Sequence, residues 1–528
     1  MKRALLPVLL LALPWAAQAQ IAPALSPDSQ AAVTSIAPLT SQGSSTAELY
    51  SALRGSDDPD ELKRFLKDMP KGADLHHHYS GSIYAETYLE WAKEMEVKIN
   101  PETFMLEGWK KDPDAITIEA FLQDPDNLDK LLRVWSVKGY EQVAGGSTPD
   151  KAFFDTFIYF GGFATKTYDK GFDLLRERAI DNNVLYIESL LSGVPFYLPR
   201  RGSKALAKLK AQNEALWNAT PAELPTVLAE MAEEWEQSKS FEKAVSGFVE
   251  DLEEAHQGVD TDQFSMRYHS YAIREKDPVQ VYSGLVAAFA AAKRSELIVA
   301  VNLVGLENGE KALRDYSLHM QMLKFLGERY PGVNVALHAG EITPELVSPD
   351  DLGFHVREAI EVAGAKRIGH GIDVPSDADA AGLMQLMIER GIPVEINLTS
   401  NEFILGVAGD AHPYAQFAEA GVPMVLSTDD QAVVRNDINY EYHLLATRHE
   451  ADYARLKQLV YNSIHFSFLD DATKQRLLSD LDARFASFEE AMAEWAETRL
   501  AQDPADPKPA DSKPAGPETL DVGVGAGQ

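Results

Sequence analysis

Leu297-Ile-Val-Ala-Val-Asn-Leu-Val304 and Val333-Asn-Val-Ala-Leu-His338 are short, almost unbroken apolar runs, separated by an amphipathic stretch from Leu313 to Glu328 and by Gly332. Unbroken rather than alternating runs are what strands buried on both faces need, and a parallel neighbour is reached only through a helical crossover. The same unit then repeats. Arg367–His370, Pro393–Asn397 and Met424–Ser427 read as further strands, with helices at Asp351–Ala363, Ala380–Arg390 and Pro413–Ala420. Gly332, Gly364, Gly391 and Gly421 follow these helices, where C-caps belong. A rhythm of about thirty residues per unit matches βαβ construction.

Working outward, Ala73–Tyr79, Val184–Leu191 and Met266–Ile273 supply three more candidate strands upstream. Eight strands in this pattern predict an α/β chain folded as a (β/α)8 barrel. The first two units are longer. Roughly a hundred residues separate the first two strands, and Ser203–His256 is a charged, Ala/Glu/Lys-rich helical stretch before the third. Both read as helical insertions, after the first and second strands, some of them covering the barrel mouth. Asp452–Leu500 reads as helical and is expected to close the barrel from outside.

The ends differ in composition. Lys2 and Arg3 precede an apolar run from Ala4 to Ala17 broken by Pro7 and Pro14, and Ala17-Gln18-Ala19 offers a small-x-small cleavage pattern. Residues 1–19 are therefore expected to be a signal peptide and the mature chain to be periplasmic or secreted. The Ser/Ala/Pro/Thr-rich residues 20–45 read as a flexible leader, 46–500 as the barrel with its insertions, and 501–528 as a disordered tail. No later run approaches a membrane-spanning length.

Composition removes whole classes of chemistry. The 528 residues contain no cysteine, which excludes thiolate zinc sites, cysteine nucleophiles and the His/Cys/Cys deaminases of flipped bases. Any catalytic metal must be held by histidine and carboxylate. With 49 basic against 81 acidic side chains the formal charge is −32. Such a surface repels phosphate backbones and anionic lipid, so neither nucleic acid nor a membrane is expected as a partner. A neutral small molecule is not repelled.

Polar groups gather where the strands end, and in a parallel barrel those ends share one face. His76 and His78 of His76-His77-His78 project to one side of a strand and His77 to the other. By itself this cluster fits loose surface metal binding equally well. His338-Ala-Gly-Glu341 ends the fifth strand, where Gly340 lets the backbone turn Glu341 back toward the same space. His370 ends the sixth between Gly369 and Gly371, and Asp429-Asp430 ends the eighth. Alone, each has an ordinary structural explanation: a backbone-bonded histidine, or a helix N-cap aspartate. Their convergence at different strand ends is what argues for a hydrolytic metal site. His412, before Pro413, reads as a helix start, and Phe153, Phe154, Phe157 and Tyr159 read mainly as core.

With these residues in view, the sequence resembles the adenosine deaminase family of metal-dependent amidohydrolases. The resemblance rests on Met69-Pro-Lys-Gly-Ala-Asp-Leu-His76-His-His78, Asn302-Leu-Val-Gly305-Leu-Glu307, His338-Ala-Gly-Glu341, Arg367-Ile-Gly-His370-Gly, Thr399-Ser-Asn401 and Ser427-Thr-Asp429-Asp430. The Met-Pro-Lys-Gly opening and the insertions look closest to its growth-factor-related branch, which also suggests a homodimer. The resemblance implies one zinc ion per chain on His76, His78, His338 and Asp429. It makes Glu341 the acid that protonates purine N1, and His370 the group that orients the attacking water and assists its deprotonation. Gly305 and Asp430 would hold the purine edge and N7. Ser80 stands where the compact enzymes carry a sugar-binding aspartate, Gln431 replaces a usual proline, and Asn397-Leu398 replaces a common Cys-Pro. The implied reaction is hydrolysis of the 6-amino group of adenosine or deoxyadenosine. Another 6-aminopurine, or a non-catalytic nucleoside-binding protein on the same barrel, are the alternatives. A binuclear amidohydrolase is disfavoured, because Val304-Gly305 stands where such enzymes carry a bridging lysine.

Overall fold

The computed structural model describes residues 39–502, except 109–110 and 141–146. Eight parallel strands run in sequence order around the sheet: β1 Gly72–His78, β2 Val184–Ser192, β3 Ser265–Ile273, β4 Ile298–Val304, β5 Asn334–Ala339, β6 Arg367–His370, β7 Val394–Ile396 and β8 Met424–Leu426. All eight coincide with the runs read from the sequence, and the α/β barrel is the observed fold. Most of their residues are buried, β3 least completely, because helices cover the outer face and side chains fill the inside. The ring closes just past β8. Asp429 N–H donates to the His76 carbonyl (2.8 Å), and His78 N–H donates to the Asp429 carbonyl (3.1 Å).

The helices between strands follow the expected pattern with local adjustments. Ala380–Arg390 lies where expected, and Gly391 and Gly421 are left-handed C-caps. Gly332 and Gly364 also have positive φ, but they lie two residues beyond the caps, Tyr330 and Val362. The helix expected at Asp351–Ala363 is confined to His355–Glu361, since Gly353 at φ 75° turns the chain against the Ser376 carbonyl.

The two insertions do different things. Within the first, Pro149–Asp155 packs on the helix Leu398–Leu405 that follows β7, and Phe157–Ala164 packs on the turn after β1. Asn308, after β4, donates to Asp150 (2.8 Å), and Val137 N–H donates to the Val433 carbonyl (3.0 Å). This insertion roofs the mouth. Phe153 is buried, whereas Phe154, Phe157 and Tyr159 are half-buried beside it. The second insertion forms three helices, Ser203–Asn218, Leu224–Glu236 and Lys239–Ala255, and it does not cover the mouth. It lies over helix Pro278–Ala292 on the flank, with Asn213 Oδ1 accepting from Val279 N–H (3.0 Å) and Tyr282 OH donating to the Leu228 carbonyl (2.8 Å). That cover explains why Pro278–Ala292 is apolar all round: it is buried between the barrel and a second helical layer.

At the other end of the chain, Tyr453–His465 packs on β1 and β8, and Asp471–Gln502 packs on an N-terminal helix, Ser41–Arg54. This corrects the leader's limit, placed at residue 45, because the helix starts at Ser41. Its Ser/Gly-rich first turn looked like loop. Thr40 caps it by accepting from Gly43 N–H (3.0 Å), and Leu49, Tyr50 and Leu53 are buried. The signal-peptide stretch and residues 503–528 lie outside the described residues. Among the described residues no helix is long and apolar enough to cross a membrane.

The barrel interior is crossed by paired charges. Arg367 on β6 donates to Glu395 on β7 (2.6 Å) and to Glu188 on β2 (2.7 Å), and Glu188 also contacts His269 on β3 (3.0 Å). Burial opposes ionisation of Glu188, but Arg367 and His269 outweigh it and bring its carboxyl from 4.5 down to about 2. Glu307 is brought to about 2 in the same way by Arg274 and His355. A carboxyl depressed in the folded state contributes stability that is present above its unfolded pKa and lost as pH falls through the folded one. The Glu188 contribution should therefore fade between pH 4.5 and about 2. Denaturant midpoints followed into that window should fall more steeply for the parent than for Glu188→Gln. Parallel curves would remove Glu188 as a source of acid lability.

Candidate metal centre and active site

Parallel strands bring six of the chosen side chains to one end of the barrel. On β1, alternation sends His76 and His78 inward and His77 outward, as read from the sequence. His77 Nδ1 meets Ser189 Oγ (3.1 Å) beneath helix Tyr168–Asp181 and takes no part in the centre. His76 Nε2 and His78 Nε2 lie 3.4 and 3.3 Å from Asp429 Oδ1, and His78 Nε2 lies 3.1 Å from His338 Nε2. One ligand atom from each of His76, His78, His338 and Asp429 falls within a 4.8 Å cluster.

The partners of these rings decide what the cluster can hold. His76 Nδ1 lies 2.6 Å from Glu395 Oε2, and an ionised carboxylate only accepts, so that nitrogen carries a proton and Nε2 is the nitrogen turned toward the cluster. His338 Nδ1 likewise faces Asn302 Oδ1 (2.9 Å), leaving its Nε2 lone pair inward. The Nε2 atoms of His76 and His338 thus face one space shared with the Asp429 carboxylate and His78. Such crowding of acceptors in a buried space is favourable around a cation. Three imidazoles and one carboxylate, with no sulfur, fit a hydrolytic metal site with room for water.

Beside this cluster stand the acid–base candidates. His370 and Asp429 both have positive φ, 70° and 56°, which turns each side chain from its strand end into the mouth. His370 Nε2 points between Glu341 Oε1 (3.6 Å) and Asp429 Oδ2 (3.9 Å). Gly340 takes φ 76°, and Glu307 accepts from the N–H groups of Gly340 (3.0 Å) and Glu341 (2.8 Å), so the turn after β5 is clamped from β4. Burial, reinforced by the charges of Asp429 and Glu307, pushes the Glu341 carboxyl well above the usual range. Burial and the Asp429 charge do the same to Asp430. Both carboxyls therefore retain protons at pH values where ordinary carboxylates have lost them.

The remaining candidates line the same mouth. Gly305 leaves β4 at φ 99° and is half-buried, with Leu306 N–H reaching Glu275 (3.3 Å). Asp430 packs directly against Gly81, where a Cβ would fall 1.6 Å from its Oδ1, so any larger residue at 81 displaces the carboxyl. Ser80 opens the short turn Ser80–Ser82, half-buried, with its carbonyl accepting from Tyr88 OH (2.9 Å). His412 does precede helix Tyr414–Ala420, yet it is also buried and bonded to Asn401 (3.2 Å).

Sequence reasoning missed the residues that act behind these. Glu395, Asn302, Arg274 and His355 each hold a partner at the centre. Arg274 donates to the carbonyls of Leu303 and His338 (2.8 and 2.9 Å), and His355 meets Glu307 (2.6 Å). A signal existed for two of them: Glu395 and Asn302 interrupt otherwise apolar strands, and a polar side chain buried in a strand needs a partner.

A model of the adenosine deaminase family matches residues 225–484, the stretch carrying His338, Glu341, His370 and Asp429. An adenosine deaminase of Vibrio parahaemolyticus is 34% identical over 189 residues, 36% of this chain and 52% of that protein. One from Salmonella newport is 33% identical over 183 residues, 34% of this chain and 50% of that one. The chain thus spans about half the length of the curated relatives it matches. Among solved structures, an adenine deaminase from Arthrobacter aurescens aligns with TM-score 0.50 at 18% identity, covering 78% of this chain and 98% of that one. An Arabidopsis N6-mAMP deaminase aligns at 0.51 and 18%, covering 80% and 99%. A Zn-bound amidohydrolase from Burkhoderia ambifaria aligns at 0.51 and 16%, covering 83% and 97%. These likenesses carry the fold, and the sequence match carries the resemblance: over residues 225–484 the chain matches the adenosine deaminase family.

Proposed function

We propose that this chain is an exported, zinc-dependent adenosine deaminase. The observation that carries the reading is Glu341: a buried, proton-retaining carboxyl that shares one closed space with His370 and a three-histidine, one-aspartate cluster. Zinc is the metal this donor set suits, and a distant structural neighbour was solved with it. When bound, zinc would acidify water so that a hydroxide nucleophile is available near neutrality.

The chain's own residues would divide the rest. Glu341 gives its proton to N1, which takes up the electron pair of the C6–N1 π bond as the oxygen adds at C6. His370 orients the oxygen from the other side. The 6-amino group then departs as ammonia, with the C–N electron pair and the proton given up by the added hydroxyl, leaving a 6-oxopurine. Purine N7 is an acceptor, so a protonated Asp430 can donate to it, which an ordinary aspartate could not. The Gly305 backbone would take the purine edge. The insertion over the mouth excludes water from these charges and strengthens them.

Two structural neighbours are named for adenine and for N6-mAMP, which supports a 6-aminopurine without choosing among them. Ser80 offers a hydroxyl where an aspartate would bind ribose, and this favours tolerance of the sugar, so deoxyadenosine belongs in the proposal beside adenosine. The Met69-Pro-Lys-Gly opening and the long first insertion support a growth-factor-related relative, and the Lys2–Ala19 pattern supports export.

Ultraviolet absorbance of the protein with adenosine, deoxyadenosine, adenine and AMP, each with and without chelator, tests this directly. Loss of the adenosine band, abolished by chelation, is expected. A zinc-loaded protein inert toward all four would sink the assignment. Glu341→Gln should keep its zinc and lose roughly 10²–10⁴ in kcat, the usual worth of a positioned general acid. An unchanged kcat would remove Glu341 from the role. Asn302→Ala should weaken metal binding by about 10–100-fold in a competition titration, as losing a partner behind a ligand typically does. Unaltered affinity would show that Asn302 does not set the His338 ring.

A further inference from the structure

Behind His370 runs a chain of hydrogen bonds whose direction is fixed at its far end. The N–H of Tyr414 donates to His412 Nδ1 (3.1 Å), and a backbone N–H can only donate. Nδ1 of His412 is therefore an acceptor, and the neutral ring carries its proton on Nε2. Burial, with His449 and His370 nearby, holds His412 down to about 3, so the ring is neutral. Its Nε2 lies 3.2 Å from Asn401 Oδ1, the only Asn401 atom that can accept that proton. Asn401 Nδ2 then faces His370 Nδ1 at 2.8 Å and donates to it. Each polarity follows from the one before it, and Asn401 is fully buried.

We propose that Asn401 and His412 are positioning residues that hold His370 as its Nε2–H tautomer, so that the ring meets the attacking oxygen as a hydrogen-bond donor. Its catalytic meaning rests on the deaminase reading, which it refines. A ring that already carries a proton on Nε2 can orient the oxygen nucleophile but cannot take a proton at that atom. Nε2 is the buried ring atom left without a partner, and it points between Glu341 and Asp429. The left-handed backbone at His370 fixes that aim, and the Asn401 bond fixes which nitrogen carries the proton.

Two measurements on the full, zinc-loaded chain test the tautomer. Long-range proton–nitrogen correlation spectra of deuterated, 15N-histidine-labelled protein, with His370 assigned by comparison with His370→Gln, should show the Nε2–H pattern. An Nδ1–H pattern would overturn the proposal whatever the substrate proves to be. Asn401→Asp presents only acceptors and should invert the tautomer. It is expected to lower kcat by roughly 10²–10⁴, the scale at which a wrong histidine tautomer costs a serine protease, with KM and zinc content little changed. His412→Phe frees the Asn401 amide to rotate and should lower kcat by about tenfold at constant KM, as one lost orienting contact does. A parent-like kcat in Asn401→Asp with the ring shown to be inverted would overturn the donor role. A wild-type chain inert toward all 6-aminopurines would instead end the deaminase reading, while the spectra still decide the tautomer.

Discussion

Arg367 is the tie on which the centre depends. Its guanidinium spans the barrel interior, donating to carboxylates of β2 and β7, to the Leu75 carbonyl of β1 and to the Phe466 carbonyl beyond the outer helix. Glu395, held at one oxygen by Arg367, uses the other to hold His76. An isolated carboxylate at that depth would take up a proton or destabilise the fold, and breaking such a pair costs about 3–5 kcal/mol. The charge that orients the His76 ring is thus kept ionised by an arginine that also ties four strands together. Order at the mouth is inherited from the interior, which is where a rigid scaffold can supply it.

How much of this could be read in the sequence depends on range. Strands such as Ile298–Val304 were legible because burial on both faces leaves continuous apolar runs, and Ala380–Arg390 because periodicity and a terminal glycine agree. The first turn of Ser41–Arg54 was not, since its stability comes from packing on a helix more than four hundred residues away. The second insertion was legible as helix but not as flank cover, because nothing local says which surface an amphipathic helix meets. Among site residues, those at strand ends announced themselves by type and position. Glu395 and Asn302 sit inside strands and Arg274 in the turn just past β3, where only the partner's identity shows why a polar group is present. His412 is the sharpest case: the Pro after it explained it fully from sequence alone, and its second role appears only when Asn401 is seen beside it.

Strain is concentrated where the chemistry would be. Two non-glycine residues of the centre, His370 and Asp429, adopt left-handed backbone, a conformation that costs on the order of 1–3 kcal/mol each. Neither could aim its side chain inward from a regular strand end. The surrounding structure over-determines both: His370 between glycines and the Asn401 bond, Asp429 by its backbone bonds to β1.

That last arrangement reaches beyond catalysis. Asp429 carries the barrel's closing seam on its main chain and a candidate ligand on its side chain, and it makes the seam's backbone bonds at φ 56°. Backbone geometry by itself already favours Gly, Asn or Asp. A descendant of this barrel that abandoned its chemistry would therefore not drift freely at this position. Its vestige would be Asn or Gly, a replacement that keeps the cylinder shut while silencing the centre, and so a readable scar of lost activity in any sequence that carries it.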